Sequence, residues 1–265
     1  MSENLILDIF ENFNAEFDNF KQGNKNTKID EYFKQVGAPN PKYFLIKGTK
    51  HEVIGFAKNR MVEGKAIVRY RPDDYFIGDY KNNKRHGYGY HRFINGIIYK
   101  GQYDNDLKVG GIVFEPKLKK IIYEGEWAAD LYNGTGKLTR LTNEQYIGDF
   151  RSGKFHGKGV LTWPNGSKYE GEFMDGCRHG EGRFIFNYGD EYEGTFVNNK
   201  FNGQGRYIWK NGDIYEGEFI DGALTGNGMM SYRELGILGS GIWDDHKNPK
   251  SVKFDLDIGT NRNLY

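Results

Sequence analysis

Residues 169–196 read Tyr-Glu-Gly-Glu-Phe-Met-Asp-Gly-Cys-Arg-His-Gly-Glu-Gly-Arg-Phe-Ile-Phe-Asn-Tyr-Gly-Asp-Glu-Tyr-Glu-Gly-Thr-Phe. They hold one full copy of aromatic-x-Gly-x-aromatic, polar loop, Gly-x-Gly, and the start of the next. The pattern returns every 23 residues: Tyr146, Gly148, Phe150, Gly157 and Gly159 come before, and copies at Tyr192 and Tyr215 come after. Tyr123 begins an earlier full copy, with Trp127 as its second aromatic. Tyr99 begins one in which Ile112 replaces the last glycine, and Phe76 begins one with Phe for Tyr. A decayed copy starts at Val53, with Gly55, Ala57, Gly64 and Ala66, and a truncated one ends at Gly241 and Trp243. A fixed short period means one supersecondary unit stacked many times.

Strand periodicity explains the spacing, because residues two apart share a face. Tyr169, Gly171 and Phe173 point one way, and Glu170 and Glu172 the other. On the returning strand Gly180, Gly182, Phe184 and Phe186 share the aromatic face, opposite Glu181, Arg183 and Ile185. Each repeat is thus a hairpin with a ring-and-glycine face and a polar face. A glycine in a strand is a packing device here, leaving room for a neighbouring ring to lie on the backbone. Asn95-Gly96, Asn165-Gly166 and Asn211-Gly212 link the hairpins, and Asn-Gly favours a type I′ turn. Glutamates on outgoing strands face Lys137, Lys158, Arg183 and Arg206 on returning ones, pairs that support register at ~0.2–1 kcal/mol each.

The run Tyr-Glu-Gly-Glu-Phe…His-Gly-Glu-Gly-Arg at 169–183 resembles the MORN repeat (membrane occupation and recognition nexus). The resemblance covers residues 53–243 and implies a mostly β fold: an elongated single-layer antiparallel meander of about eight MORN hairpins with N-terminal helices. It also implies settings: cytoskeletal and ciliary scaffolds, junctional membrane proteins, plant lipid kinases and a histone methyltransferase. In the enzymes the chemistry sits in a separate domain, and no block of this chain is large enough for one beside its repeats. Fold alone does not fix function.

Composition narrows the classes. Net charge is +1 from 37 basic and 36 acidic residues, which argues against a nucleic-acid partner and against strong attraction to anionic membranes. No apolar stretch reaches the ~20 residues that span a bilayer, no signal-peptide pattern opens the chain, and Cys177 stands alone. These features point to a reducing, cytoplasmic setting.

Three regions follow: N-terminal helices and lead-in strand over 1–52, the repeat array over 53–243, and a C-terminal strand and tail over 244–265. Leu5, Ile6, Ile9, Phe10, Phe13, Phe17 and Phe20 give helical spacing over 3–20, with Ser2 as N-cap. This helix is expected to pack on the aromatic face near the first repeats, with docking to another protein or dimerisation as the alternative. A second helix is expected over Thr27 to Val36 and a strand over Tyr43 to Lys47. Val252, Phe254, Leu256 and Ile258 alternate as a strand capping the last sheet edge.

Candidate chemistry is sparse. His86, His156 and His179 recur before Gly-x-Gly, but equivalent positions two strands apart lie about 9–10 Å from each other, too far to share a metal. They suit loop hydrogen bonding. The Gly-x-Gly runs lack the context of a phosphate loop, the glutamates form a repeated ladder, and Cys177 has no named partner. Lys117, Lys119 and Lys120 give lipid binding a weak foothold. No enzyme, cofactor or metal is expected. The expectation is a scaffold or adaptor binding a helical or extended protein segment through Phe150, Trp163, Phe173, Phe186, Phe196, Trp209 and Phe219, in a cytoskeletal or ciliary (axonemal) assembly. A homodimer is a further possibility. Phosphoinositide binding or a regulatory subunit role are the alternatives.

Overall fold

The computed structural model describes residues 9–24, 27–38, 40–46, 51–244 and 248–255. It divides between Asn133 and Gly134 into two units. In unit 1, helices Phe13–Lys21 (α1) and Lys28–Gln35 (α2) precede strands Lys42–Leu45 (β1), Glu52–Lys58 (β2), Met61–Arg71 (β3), Asp74–Lys81 (β4), Lys84–Arg92 (β5), Ile98–Asp104 (β6), Leu107–Glu115 (β7) and Lys120–Ala128 (β8). Each of these strands pairs antiparallel with the next. Leu131–Thr139 (β9) spans the division point. Unit 2 then holds Gln145–Arg151 (β10), Lys154–Thr162 (β11), Lys168–Met174 (β12), Cys177–Ile185 (β13), Glu191–Val197 (β14), Lys200–Ile208 (β15), Ile214–Ile220 (β16), Ala223–Tyr232 (β17), Ile237–Asp244 (β18) and Asn248–Asp255 (β19). From β9 onward the strands again pair in sequence order, all antiparallel. The chain is a mostly β antiparallel meander of repeat hairpins with N-terminal helices, as its period implies.

Register is set by glycine. In unit 2, Gly136, Gly148, Gly159, Gly171, Gly182, Gly194, Gly205, Gly217, Gly228 and Gly241 pair in turn, one per strand, as a column across the sheet. Tyr192 lies flat over this column, and a Cβ at Gly205 would come within 2.5 Å of its hydroxyl. The first glycine of each Gly-x-Gly has a different duty. Gly157, Gly180, Gly203 and Gly226 sit at φ between +55° and +63°, where an L side chain is strained.

The hydroxyl explains why the ring is tyrosine. Within each hairpin the ladder shifts register past the column glycine of the outgoing strand, at Gly148/Asp149 and Gly217/Glu218 for example. A bulge leaves backbone groups off the ladder. Tyr146 Oη donates to the Asp149 carbonyl at 2.8 Å, Tyr169 to Glu172 at 2.9 Å and Tyr192 to Thr195 at 3.0 Å. The rings are essentially fully buried, and burial pushes their pKa values up. Repeats interlock through them: Tyr146 stacks on Phe155 at 3.8 Å and meets Phe173 of the next repeat edge-on at 5.0 Å.

The turns differ from the Asn-Gly expectation. Both central residues have positive φ in the tip turns Asn82-Asn83, Asn198-Asn199 and Asp175-Gly176, the type I′ pattern. At the Asn-Gly links only the glycine is positive, as at Gly166 with φ +91°. Asn165 instead turns its side chain back, Oδ1 accepting from Ser167 N–H at 3.0 Å. The link is a wider turn, closed by Trp163 N–H to Ser167 O at 2.9 Å, so the same dipeptide serves a different geometry.

The helices also correct the reading. Residues 9–11 are helical, Asn12 bends, and α1 follows; Ser2, Leu5 and Ile6 lie outside the described residues. α2 starts on a capping box, Thr27 Oγ1 accepting from Asp30 N–H and Asp30 accepting from Thr27 N–H. Ile9, Phe10, Phe13, Phe17, Ile29, Tyr32 and Phe33 pack on Ile54, Ile67, Tyr75, Ile77, Tyr90 and Ile98. Those strand residues alternate with Val53, Ala66, Phe76 and Tyr99, which form a separate cluster with the other rings. The helices therefore cover the back face, opposite the ring face on which they were expected. In the first repeats that back face is apolar where later copies carry Glu and Arg. An ion network fastens α1 there: Glu52 accepts from Lys21 at 2.6 Å, Tyr43 Oη at 2.9 Å and Arg69 Nε at 2.7 Å, and Arg69 reaches Asp18 at 2.9 Å. Burial would raise the Glu52 pKa, but these donors outweigh it and hold it at about 2. At the other end β19 pairs with β18, while Leu256 and Ile258 of the expected strand lie outside the described residues.

Candidate functional site

Unit 2 presents two chemically opposite surfaces. On the ring face, Trp163, Phe186 and Trp209 take the same place in three successive repeats, each opening an inter-hairpin turn. All three are half-buried. Trp163 leans on Phe184 at 5.4 Å, Phe186 on Phe184 at 4.5 Å and on Tyr188 at 5.1 Å, and Trp209 on Tyr207 at 4.8 Å. The turns are tied to one another. Ser167 Oγ accepts from Asn187 N–H at 3.2 Å, Asp190 from Lys210 N–H at 2.9 Å and Asp213 from Arg233 N–H at 2.9 Å. Asp190 also accepts from Tyr207 Oη at 2.6 Å, and burial followed by that contact pushes the phenol pKa up. The row is held by a hydrogen-bonded rim.

The other four residues named from the sequence lie inside the stack. Phe150, Phe173, Phe196 and Phe219 are at most 3% exposed; the last three are each wedged between tyrosines of adjoining repeats, and Phe150 packs on Tyr146 and Phe155. They are the packing that positions the row, which leaves Trp163, Phe186 and Trp209 as the ring-face members with surface to offer.

The back face of unit 2 is open and charged. Two shallow hollows of 650 Å³ and 710 Å³ follow the glycine column where no side chain fills the sheet. Glu170, Arg183, Glu193, Arg206 and Glu216 alternate along one side of the column. Arg206 pairs with Glu216 at 2.9 Å, and Arg183 with Glu191 diagonally rather than with the residue opposite. Toward the hairpin tips, Glu172, Glu181 and Glu218 form a second row, with no Lys or Arg among the residues they are paired with other than Lys158 at its start. Beyond it Met174, Val197 and Ile220 stand 43%, 36% and 58% exposed. Sequence reasoning treated the glutamates as register pairs and overlooked the exposed aliphatics. Their 23-residue recurrence, directly after each second aromatic, was the available signal.

Unit 1 holds a titratable cluster. His91 Nε2 donates to Asp74 at 2.9 Å while its Nδ1 accepts from Arg85 Nη1 at 3.0 Å, and Arg85 also donates to Asp106. Burial holds the imidazole at about 4 despite Asp74, so it is neutral and linked on both nitrogens. Tyr70 and Tyr80 share a hydroxyl contact at 2.7 Å close by. Nothing in the chain of contacts activates a nucleophile, and it reads as buried polar packing.

The histidines expected in loops lie in returning strands β5, β11 and β13. Nδ1 of His156 and of His179 is buried with no hydrogen-bond partner. Among the described residues no three His, Cys, Asp or Glu side chains are grouped as metal ligands, and no helix is long and apolar enough to cross a membrane. Cys177 is a free thiol at the start of β13, opposite Met174. Lys117 and Lys119 are exposed in the turn between β7 and β8.

Among curated proteins, none matches this sequence. Solved structures give weak likenesses. The SAS-4 (dCPAP) TCP domain of Drosophila melanogaster, in complex with a proline-rich motif of Ana2, is 15% identical with a TM-score of 0.35, over 61% of this chain and 85% of that one. The wild-type TCP10 domain of Danio rerio CPAP is 10% identical with a TM-score of 0.30, over 78% and 100%. Likenesses of this strength carry no inference. The repeat itself is unambiguous: the MORN repeat model matches residues 76–97, 123–140, 146–168, 169–190, 192–214 and 215–234. It passes over the copy at Tyr99, where Ile112 interrupts the glycines. The chain is a MORN-repeat protein.

Proposed function

We propose that this chain is a non-catalytic scaffold that binds a helical or extended segment of a protein partner along the ring face of unit 2. The observation that carries this reading is the row Trp163, Phe186 and Trp209: half-buried rings at one position of three turns, fixed by the hydrogen-bonded rim beneath them. Successive members lie roughly 9–10 Å apart, two strand spacings. Rigid aromatic anchors at fixed intervals are what hot spots are made of. By the settings in which MORN proteins occur, the place of action is a cytoplasmic cytoskeletal or ciliary assembly.

The test has two stages. A partner is first isolated with the full chain from native cells and its affinity measured by calorimetry. The double variant Trp163→Ala/Trp209→Ala is then expected to weaken that affinity about 100-fold, at about 2 kcal/mol or less per ring with its strand spectrum intact. Unchanged affinity with unchanged fold would exclude the ring face.

A further inference from the structure

The back face of the sheet has two fates in this molecule. In unit 1 it is apolar and takes α1 and α2. In unit 2 the same face is open, with a shallow trough along the glycine column. We infer that the back face of β12–β17 is a docking site for an amphipathic basic helix of a partner protein, lying across the strands.

The chemistry of the occupant follows from two parallel rows. Glu172, Glu181 and Glu218 supply carboxylates, and Glu193 adds another across the trough. No ion pair under 4.0 Å engages any of these four among the described residues, whereas Arg183 and Arg206 are occupied by Glu191 and Glu216. Met174, Val197 and Ile220 supply the apolar row on the tip side. A partner must therefore carry cations beside an apolar stripe.

The spacing suits a helix. Val197 and Ile220 occupy equivalent places two strands apart, roughly 9.5 Å. Seven residues of α-helix rise about 10.5 Å, so a heptad stripe stays in step over three repeats with a drift of about 2 Å. Charge also argues against α1 of a second copy of this chain as the occupant. α1 has Glu16 and Asp18 on it, and in unit 1 Asp18 meets the cation Arg69. Laid on unit 2, the same helix would bring its carboxylates against Glu172 and Glu181. Nucleic acid and anionic lipid are disfavoured for the same reason.

This surface is independent of the ring face, so its test must leave the tryptophans alone. The probe is a fluorescein-labelled peptide of about 18 residues, Leu and Lys at heptad spacing, titrated into the full chain by fluorescence anisotropy. Saturable binding is expected, weakening as salt rises, with helicity gained on binding. Glu172→Lys/Glu181→Lys/Glu218→Lys should weaken it about tenfold or more. Val197→Ser/Ile220→Ser should weaken it about tenfold too, since two exposed aliphatic contacts are lost. All five positions have side chains at the surface, and circular dichroism checks that each variant folds. Trp163→Ala/Trp209→Ala should leave peptide affinity unchanged, which keeps this inference separate from the ring-face reading. The inference is overturned if the triple charge reversal leaves affinity unchanged. It is equally overturned if a scrambled peptide of the same composition, lacking an apolar face, binds as tightly, or if a Leu and Glu peptide does.

Discussion

The back face of β3–β6 and that of β12–β17 come from the same repeat yet behave oppositely. In the first, Ile67, Tyr75, Ile77, Tyr90 and Ile98 are buried beneath two helices. In the second, the corresponding strands carry Glu170, Arg183, Glu193 and Arg206, all exposed among the described residues. The ring face is buried and apolar in both, although in the first Ala66 takes a column glycine's place. The repeat therefore separates tasks: one face holds the strands together, and the other is free to vary. A single layer of sheet can do this because its ring face is self-sealing, tyrosine lying on glycine, and does not need a second layer to bury it.

The largest effect expected from breaking this contrast is in unit 1. Phe17 is fully buried between sheet and helix, with the Arg69 guanidinium 4.3 Å from its ring centre. Phe17→Ala should cost about 3–5 kcal/mol, read as faster amide exchange in β2–β4 while β13–β16 keep their protection. Equal loss of protection in both regions would mean that the helices stabilise more than the face they cover.

Next is acid. The folded His91 pKa, about 4, lies below the ordinary histidine value of 6.5, so the unfolded chain takes up the proton first. The contribution is whole above pH 6.5, up to about 3 kcal/mol, and is lost as pH falls through about 4. Glu52, held at about 2, adds a second loss at lower pH in the same direction. Unit 1 should show this acid lability by amide exchange at pH 7, 5 and 3.5, and His91→Gln should flatten the upper part of the profile.

The shared face offers a smaller contrast. Gly205→Ala would drive a methyl into the Tyr192 ring, an overpacking cost of about 1–3 kcal/mol by denaturant midpoint. In unit 1 the column already contains Ala66, which pairs with Gly55 in a repeat where Val53 stands in place of tyrosine. Ala66→Gly should therefore cost only about 1 kcal/mol. The smallest effect is Glu216→Ala. It breaks an ion pair with both side chains roughly half exposed, 43% and 52%, and should change stability by about 0.5 kcal/mol or less.

The hairpins, their pairing and the two faces were legible in the sequence because a period of two within a period of 23 leaves few alternatives. The role of glycine was half legible. Crowding by a ring could be foreseen for Gly159 and Gly182, but the positive φ of Gly157 and Gly180 depends on a register shift that spacing does not announce. The side on which the helices pack could have been read from Ile67, Tyr75, Ile77 and Tyr90, which break the polar pattern in the early copies. Treating all copies as equivalent hid that signal. Of the seven candidate residues, Trp163, Phe186 and Trp209 keep exposed surface and the four phenylalanines of the stack do not. Which rings stay inside could not be known without the turn geometry, since Phe173 and Phe186 look alike in sequence and differ only in how far along the strand they stand.

Both edges of the hairpin stack are zipped in a uniform way. At the tips, Asn83, Asp106 and Asn199 each accept from a backbone N–H 21 residues earlier, and at the opposite turns Ser167, Asp190 and Asp213 each accept from one 20 residues later. Such contacts say "next repeat" without saying which one. Inside the array a hairpin carries no address, so a chain could lose or gain a whole 23-residue unit and still knit every seam. What differs lies outside these repeated seams: helices fastened by Glu52 in one unit, and β19 paired to β18 in the other. In this protein the ordinary middle is interchangeable, and its individuality lies in the elements that flank it.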